Sequence, residues 1–151
     1  MKEVTLRQAK AEDLDALVSF NQAMAQETEG KRLDPTTLRQ GVNGLLTHPE
    51  YGFYLVAEQE GEIRGSLAVT FEWSDWRNAL FWWIQSVYVS PSARRQGIYA
   101  GLYNRVQLLA KEQGNVCGFR LYVEKDNEVA QQTYKNLGMQ ECQYYMYQSK
   151  D

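Results

Sequence analysis

The chain has 151 residues, of which 44% are hydrophobic and 23% are charged, and its formal net charge is −3. This composition is typical of a globular protein, and the length predicts a single domain over residues 1–151. General nucleic-acid binders are usually basic, so the acidic balance argues against a nucleic-acid partner. No apolar run approaches the ~20 residues that a membrane-spanning helix needs, so we expect no membrane partner.

Two cysteines, Cys117 and Cys142, lie far apart and lack the close spacing of metal-binding pairs. Isolated cysteines fit free thiols in a reducing compartment better than a disulfide framework. The N-terminal stretch "MKEVTLRQAK" has no apolar core of the kind that a secretory signal carries. We therefore expect a cytoplasmic protein with no bound metal.

The first elements in chain order are a short strand and two helices. Alternating apolar and polar residues predict the strand in "VTLRQA". Glu12, Asp13 and Asp15 then supply the acidic first turn of an amphipathic helix. In "DPTTLRQGVNGLL", Asp34 is the expected N-cap and Pro35 lies in the first turn of the second helix.

Three strand candidates follow. Phe53–Glu58 and Glu62–Phe71 flank Glu60–Gly61, a pattern that predicts a β-hairpin. The aromatic and β-branched stretch Ala79–Val89 predicts the third strand.

The C-terminal half predicts two more helices and two more strands. Apolar residues recur at helical spacing from Ile98 until Gly114 ends the helix. Cys117–Glu124 is a strand candidate, "NEVAQQTYKNLG" is a short helix closed by Gly138, and "CQYYMYQ" is a candidate last strand. The predicted order is β-α-α-β-β-β-α-β-α-β, an α/β domain around one mixed sheet.

The stretch "PSARRQGIYAGLYNRV" has the features of an anion site at a helix start. The first backbone N–H groups of a helix lack intrahelical partners, and they carry partial positive charge. Gly97 lets a ligand approach the backbone, and Arg94 and Arg95 add charge suited to phosphate. The P-loop and dinucleotide fingerprints both require residues or glycine spacings that are missing here.

"RRQGIY" resembles the Gln/Arg-x-x-Gly-x-Gly/Ala pyrophosphate loop of the GCN5-related N-acetyltransferases, the GNAT family. Arg94, Gln96 and Gly97 match that loop by position. Tyr99 stands where the family usually has glycine or alanine, which is a departure. Its backbone N–H can still donate to a phosphate, so the loop retains its donors.

"NEVAQQTYKNLGM" resembles a later segment of the same family, Asn-x-x-Ala-x-x-x-Tyr-x-x-x-Gly-Phe. Asn127, Ala130, Tyr134 and Gly138 fall in register, and Met139 replaces the usual phenylalanine. The element order over nearly the whole chain is also similar to the family fold.

The resemblance implies a GNAT-like fold, a single mixed, mostly antiparallel sheet flanked by helices. It implies an N-acetyltransferase domain over residues 1–151 that takes acetyl-CoA as co-substrate. Freed backbone groups at the end of the central strand would bind pantetheine and polarise the thioester. The residues that the resemblance assigns to coenzyme A are Val87, Tyr88, Val89, Arg94, Arg95, Gln96, Gly97, Ile98, Tyr99, Asn127 and Lys135.

Tyr134 matches the family's tyrosine that protonates the leaving thiolate, so it is the expected catalytic residue. A phenol titrates near pH ~10 and a thiol near ~8.5, so an unperturbed tyrosine is protonated at neutral pH and can donate. Some amine-acetylating relatives carry a glutamate on the central strand, where this sequence has Gln85, which cannot act as a base. The base is left among Glu27, Glu29, Glu72 and water.

Acidic and aromatic residues in "QETEG" and "FEWSDWRNALFWW" favour a small cationic acceptor, such as a polyamine, diamine or lysine-like molecule. The expected substrate-binding residues are Glu27, Glu29, Glu72 and Gln85. Protein N-terminal or lysine acetylation is one alternative, and a non-catalytic acetyl-CoA sensor is another. By analogy with the family we expect a homodimer, in which "CQYYMYQ" could pair across the interface.

Overall fold

The computed structural model describes residues 3–150. These residues form two compact units that divide after Leu121. Within the described part of the chain, no helix combines the length and the apolar character that crossing a membrane requires. The assignment of the chain to a single domain stays a prediction.

The first unit contains five strands and three helices, preceded or separated by short 3-10 turns. The strands are β1 (Val4–Gln8), β2 (Gly52–Gln59), β3 (Glu62–Ser74), β4 (Ala79–Val89) and β5 (Val116–Arg120). The helices are α1 (Leu14–Glu29), α2 (Pro35–Thr47) and α3 (Ile98–Gln113).

The five strands form one sheet in the order β1-β2-β3-β4-β5. The first three neighbouring pairs are antiparallel, and β4 and β5 run parallel. The β2–β3 hairpin turns at Glu60 and Gly61, whose φ angles of 54° and 76° are those that a two-residue hairpin turn needs. The prediction of a mixed, mostly antiparallel sheet flanked by helices is confirmed.

A β-bulge in β4 decides which side chains reach the site. Ser66 pairs with Tyr88 and Ala68 pairs with Gln85, so two residues of β4 oppose one residue of β3. Ser86 lies in this bulge with a φ of 53°. Because one extra residue reverses the alternation of a strand, Gln85 and Tyr88 project from the same face of the sheet.

Helix α3 covers one face of the sheet. The buried Ile98 lies against Gly65 of β3, and Tyr103 packs on Phe119 of β5 with ring centroids 6.0 Å apart. A Cβ built on Gly65 would lie 3.0 Å from the Ile98 side chain, so the glycine lets the start of α3 approach the sheet closely.

Helices α1 and α2 cover the opposite face. Leu17 of α1 and Val42 of α2 form a buried cluster with Tyr54, Val56 and Ala68 of the sheet. The expected start of α2 is confirmed, because the Asp34 carboxylate accepts a hydrogen bond from the Thr37 N–H and Pro35 is the first helical residue.

The second unit contains one helix, α4 (Glu128–Asn136), capped by the Asn127 side chain, which accepts from the Ala130 N–H. The predicted last strand, "CQYYMYQ", is wrong, because the described residues after α4 form no strand. Its side chains are largely exposed, with Tyr145 at 90% and Tyr147 at 91%. High β-propensity alone does not form a strand, which needs a paired neighbour and a face to bury.

The other element predictions are confirmed in kind, and their ends differ by a few residues. The strand predicted over Cys117–Glu124 begins at Val116 and ends at Arg120. Gly114 ends α3 in a left-handed conformation, as the sequence predicts.

Candidate active site

Strand β4 extends beyond its pairing with β5. The last paired residues are Trp83 of β4 and Arg120 of β5, and β4 then continues to Val89. In the described sheet, the last six residues of β4 therefore have no β5 partner. This edge includes the strand end at which the resemblance predicts pantetheine contacts.

The turn after β4 leads directly into α3. Its Arg95 has a φ of 66°, and Gly97 caps the helix with a φ of 76°. A Cβ at Gly97 would meet no atom within 4 Å, so the glycine is required by its left-handed backbone and leaves open space beside the helix start. The first-turn N–H groups of α3 have no intrahelical partner, which suits a phosphate.

Arg94 makes three contacts with its guanidinium. Its Nε donates to the Val89 carbonyl at 2.9 Å, and its Nη2 donates to a Glu27 carboxylate oxygen at 2.8 Å. The same group lies over the Tyr88 ring, 5.5 Å from its centroid. The side chain that the loop pattern assigns to pyrophosphate is thus directed towards the end of β4 and the end of α1.

The other loop side chains have different surroundings. Arg95 is exposed and forms no ion pair with the residues that the structure describes. The Gln96 amide lies 3.5 Å from the Ser92 carbonyl and from the Gln59 amide. The Tyr99 ring stacks along the helix on the Tyr103 ring, at 6.4 Å between centroids.

Glu27 links α1 to the end of β4. Its second carboxylate oxygen accepts a hydrogen bond from the Tyr88 hydroxyl at 2.5 Å. The Tyr88 hydroxyl, and after it Arg94, lower the pKa of Glu27 below its ordinary value. Burial, and after it Glu27, raises the pKa of Tyr88. Glu27 is therefore ionised and Tyr88 is neutral at neutral pH.

The remaining expected acceptor residues do not gather at one place. Gln85 lies on the α1 face and donates to the Thr70 hydroxyl at 2.6 Å. Glu29 forms a surface ion pair with Lys31 at 3.2 Å.

Glu72 lies near the opposite end of β4, because it pairs with Phe81. Phe81 is eight residues from Val89, which is about 26 Å along an extended strand. The Glu72 carboxylate accepts from the Trp83 indole N–H at 2.8 Å and from Arg120 at 3.1 Å. The Glu72 carboxylate is therefore held by two donors and lies far along the sheet from the turn between β4 and α3.

The second unit carries the remaining expected residues. Asn127 caps α4, and Lys135 is exposed in the last turn of this helix. Burial raises the pKa of Tyr134 above its ordinary value, so its phenol is protonated at neutral pH and retains a proton to donate.

His48 is exposed, and its ring stacks on that of Tyr51 with 4.8 Å between centroids. Among the residues that the structure describes, no group of three or more histidine, cysteine or acidic residues could hold a metal ion.

Gly65 has a positioning role that the sequence analysis missed, although a glycine inside a strand pattern is a signal of close backbone approach.

Comparison with known proteins identifies the family. The model of the acetyltransferase (GNAT) family matches residues 14–139. A possible acetyltransferase from Clostridium difficile 630 is 43% identical, covers 98% of this chain and 97% of its own, and superposes with a TM-score of 0.93.

Two more distant structures share the fold. A predicted acetyltransferase from Clostridium acetobutylicum, solved with acetyl-CoA, is 23% identical over 97% of this chain and 96% of that one, with a TM-score of 0.80. An aminoglycoside N-acetyltransferase in complex with CoA is 17% identical over 99% and 96%, with a TM-score of 0.78. The chain belongs to the GNAT family and is an acetyltransferase.

Proposed function

We propose that the enzyme acetylates the primary amine of a small cationic acceptor, such as a polyamine, diamine or lysine-like molecule, by direct attack in a ternary complex. The observation that supports this proposal is the partly exposed carboxylate of Glu27. A carboxylate offers about four lone-pair positions, and Tyr88 and Arg94 occupy one on each oxygen. The side chain is 41% exposed, so an ammonium group can approach the remaining positions.

The proposed donor site consists of the free edge of β4 and the start of α3. Backbone groups of Val87, Tyr88 and Val89 would bind pantetheine and polarise the thioester carbonyl. Backbone N–H groups in the turn and first helical turn would bind the pyrophosphate, with added charge from Arg95. Gln96, Gly97, Ile98 and Tyr99 are proposed to contact coenzyme A from this turn and helix start, and Arg94 is proposed to support the turn. The family resemblance also assigns coenzyme A contacts to Asn127 and Lys135 of the second unit.

The chemical step forms one bond and breaks another. The neutral amine nitrogen attacks the thioester carbonyl carbon, the new N–C bond forms, and the C–S bond breaks. Tyr134 gives its proton to the leaving thiolate, the acceptor nitrogen loses one proton to water, and Tyr134 regains a proton from solvent. The products are an N-acetylated amine and free coenzyme A.

The acceptor's proton is proposed to leave through water. A general base works best when its pKa lies near the working pH, and Tyr88 and Arg94 hold the pKa of Glu27 below its ordinary value. Gln85 has no basic group. Glu29 stays a candidate for binding the acceptor at the end of α1, and Gln85 for contacting it from β4.

A panel of amines tests this function. We expect thiol release from acetyl-CoA with diamines and polyamines, and much less with neutral amines of similar size. At saturating acetyl-CoA, Glu27→Gln should raise the KM for the cationic acceptor about tenfold, because it removes one charge contact. Equal KM values in wild type and variant would exclude Glu27 from acceptor binding, and exclusive turnover of peptides would favour the protein-acetylating alternative.

A further inference from the structure

We propose that Arg94 supports acetyl-CoA binding by positioning the turn between β4 and α3, with Glu27 as its partner, and not by touching the pyrophosphate. This proposal rests on the proposed function only for the donor, acetyl-CoA, and does not depend on which acceptor the enzyme uses.

The first observation is the direction of the Arg94 guanidinium. It is bound at once to a strand-end carbonyl, that of Val89, and to a helix-end carboxylate, that of Glu27. A planar guanidinium presents donors in a fixed fork, so one side chain can join two elements in this way. Both contacts lie at hydrogen-bond distance, and both belong to residues outside the turn.

The second observation is that Glu27 is itself fixed. The Tyr88 hydroxyl donates to its other oxygen, and the Tyr88 ring packs on Phe20 of α1 at 5.1 Å between centroids. The ring also lies beneath the Arg94 guanidinium. Each of Glu27, Tyr88 and Arg94 therefore contacts the other two, and these contacts join the end of α1 to the end of β4.

The third observation is the strained residue that follows. Arg95 has a left-handed backbone, which a non-glycine residue keeps only where its surroundings hold it. Arg94, immediately before it, is held from two sides, and Ser90 at the start of the turn donates to the Arg64 carbonyl at 2.8 Å. Both ends of the segment that orients the N–H groups of the turn are thus fixed to the sheet or to α1.

Calorimetric titration of coenzyme A without any acceptor tests the proposal. We expect Glu27→Gln and Arg94→Gln each to weaken coenzyme A binding about fivefold, and the double variant to be no weaker than either single one. Arg94→Lys keeps the charge and loses the fork, so it should behave as Arg94→Gln. The Asp15–Arg39 ion pair, 2.7 Å long, joins α1 to α2 and supplies the matched controls Asp15→Asn and Arg39→Gln, which should leave the affinity unchanged.

Direct contact between Arg94 and the pyrophosphate gives the opposite pattern. Glu27→Gln would then release Arg94 and leave the affinity equal or higher, Arg94→Lys would retain most of it, and the effects of the two glutamine variants would add. Any of these results, or unchanged affinity in all variants, overturns the proposal. Because no acceptor is present, this outcome is separate from that of the amine panel.

Discussion

Arg94 and Arg95 are neighbours in the chain but differ in their contacts. Arg94 is bound to Val89 and Glu27, whereas Arg95 is exposed beside the start of α3 with no ion partner among the described residues. The sequence pattern of the loop assigns the positive charge of both side chains to the binding of an anion. The structure separates a side chain that joins elements from one that is available to a ligand.

Arg95 should therefore contribute charge alone. We expect Arg95→Gln to weaken coenzyme A binding about three- to tenfold, because a charge-assisted contact to phosphate is lost, while Arg95→Lys retains most of the affinity. Calorimetric titration at two salt concentrations measures this, and the loss should shrink at the higher one. Equal affinity of Arg95→Gln and wild type at low salt would contradict the assignment.

Tyr134 is expected to act in its protonated form. Burial raises the pKa of Tyr134, so the acid stays protonated in the assay, and the wild-type rate should rise with pH as the acceptor amine deprotonates. Tyr134→Phe should lower kcat about a hundredfold, the usual size of a general-acid contribution. Steady-state assays from pH 6 to about 9.5 measure both effects.

The matched control for this variant is Tyr145→Phe, because Tyr145 is 90% exposed. Its kcat should equal that of wild type. Full turnover by Tyr134→Phe at neutral pH would remove Tyr134 from the acid role and leave water as the proton donor.

At the scale of elements, the start of α3 depends on its contact with the sheet. In Gly65→Ala, the new Cβ would lie 3.0 Å from Ile98 and 3.3 Å from the Tyr88 carbonyl. We expect a destabilisation of about 1–3 kcal/mol together with weaker coenzyme A binding, because α3 must shift outwards. Thermal unfolding and calorimetric titration measure the two effects.

Gly101→Ala is the control for that variant. Gly101 lies inside α3, and its nearest neighbour to a built Cβ is the Leu6 side chain at 3.4 Å. An alanine there should be neutral or stabilising by about 0.5 kcal/mol, because glycine is a poor helix former. If Gly65→Ala behaves like Gly101→Ala, close packing at Gly65 does not position the helix.

The sequence predicts the type and order of most elements because their signals are local. Asp34–Pro35 marks a helix start, Glu60–Gly61 marks a hairpin, and the helical spacing after Gly97 marks α3. The loop pattern and the α4 pattern lead to the correct family for the same reason.

Local sequence signals do not predict the β-bulge at Ser86. Strict alternation along β4 would put Gln85 and Tyr88 on opposite faces, and only the β3 pairing reveals that they share one. The contacts between Glu27, Tyr88 and Arg94 are likewise invisible, since they join residues 61 and 67 positions apart. The C-terminal strand failed because propensity carries no information on a pairing partner.

At the scale of the whole molecule, the ion pair between Arg7 and Asp13 connects the 3-10 turn that precedes α1 to strand β1 of the sheet. Asp13 is nearly buried and accepts two hydrogen bonds from Arg7, at 2.8 and 3.0 Å, and one from the Lys10 N–H at 2.7 Å. Arg7 also contacts Glu58 of β2 at 3.3 Å. Arg7, as the largest cause, lowers the pKa of Asp13.

A carboxylate with a lowered folded pKa stabilises the protein above its unfolded pKa, near ~4, and this contribution is lost as the pH falls through the folded pKa. We expect Asp13→Asn to cost about 2–3 kcal/mol at pH 7, because Arg7 loses its charged partner. The difference from wild type should shrink below about pH 4. Chemical unfolding across this range measures it.

Glu12→Gln is the control for that pH dependence. Glu12 is exposed and pairs with Lys10 at 3.6 Å, so its loss should change stability little at any pH. An Asp13→Asn difference that is constant from pH 7 to pH 3 would show that the charge of Asp13 does not stabilise the fold.

The homodimer also stays a prediction at this scale. The expected interface strand is absent from the described chain, and its aromatic side chains are exposed. Sedimentation at micromolar concentration, with and without residues 142–148, would show whether this segment supports association.

The central claim is transfer of an acetyl group from acetyl-CoA to a small cationic amine. Incubation with acetyl-CoA labelled in the acetyl carbons, followed by mass spectrometry of the amine, tests it most directly. We expect labelled N-acetyl diamine or polyamine, formed in equal amount to free coenzyme A and greatly reduced in Tyr134→Phe. Coenzyme A binding without any labelled amine product would contradict it and favour a non-catalytic sensor.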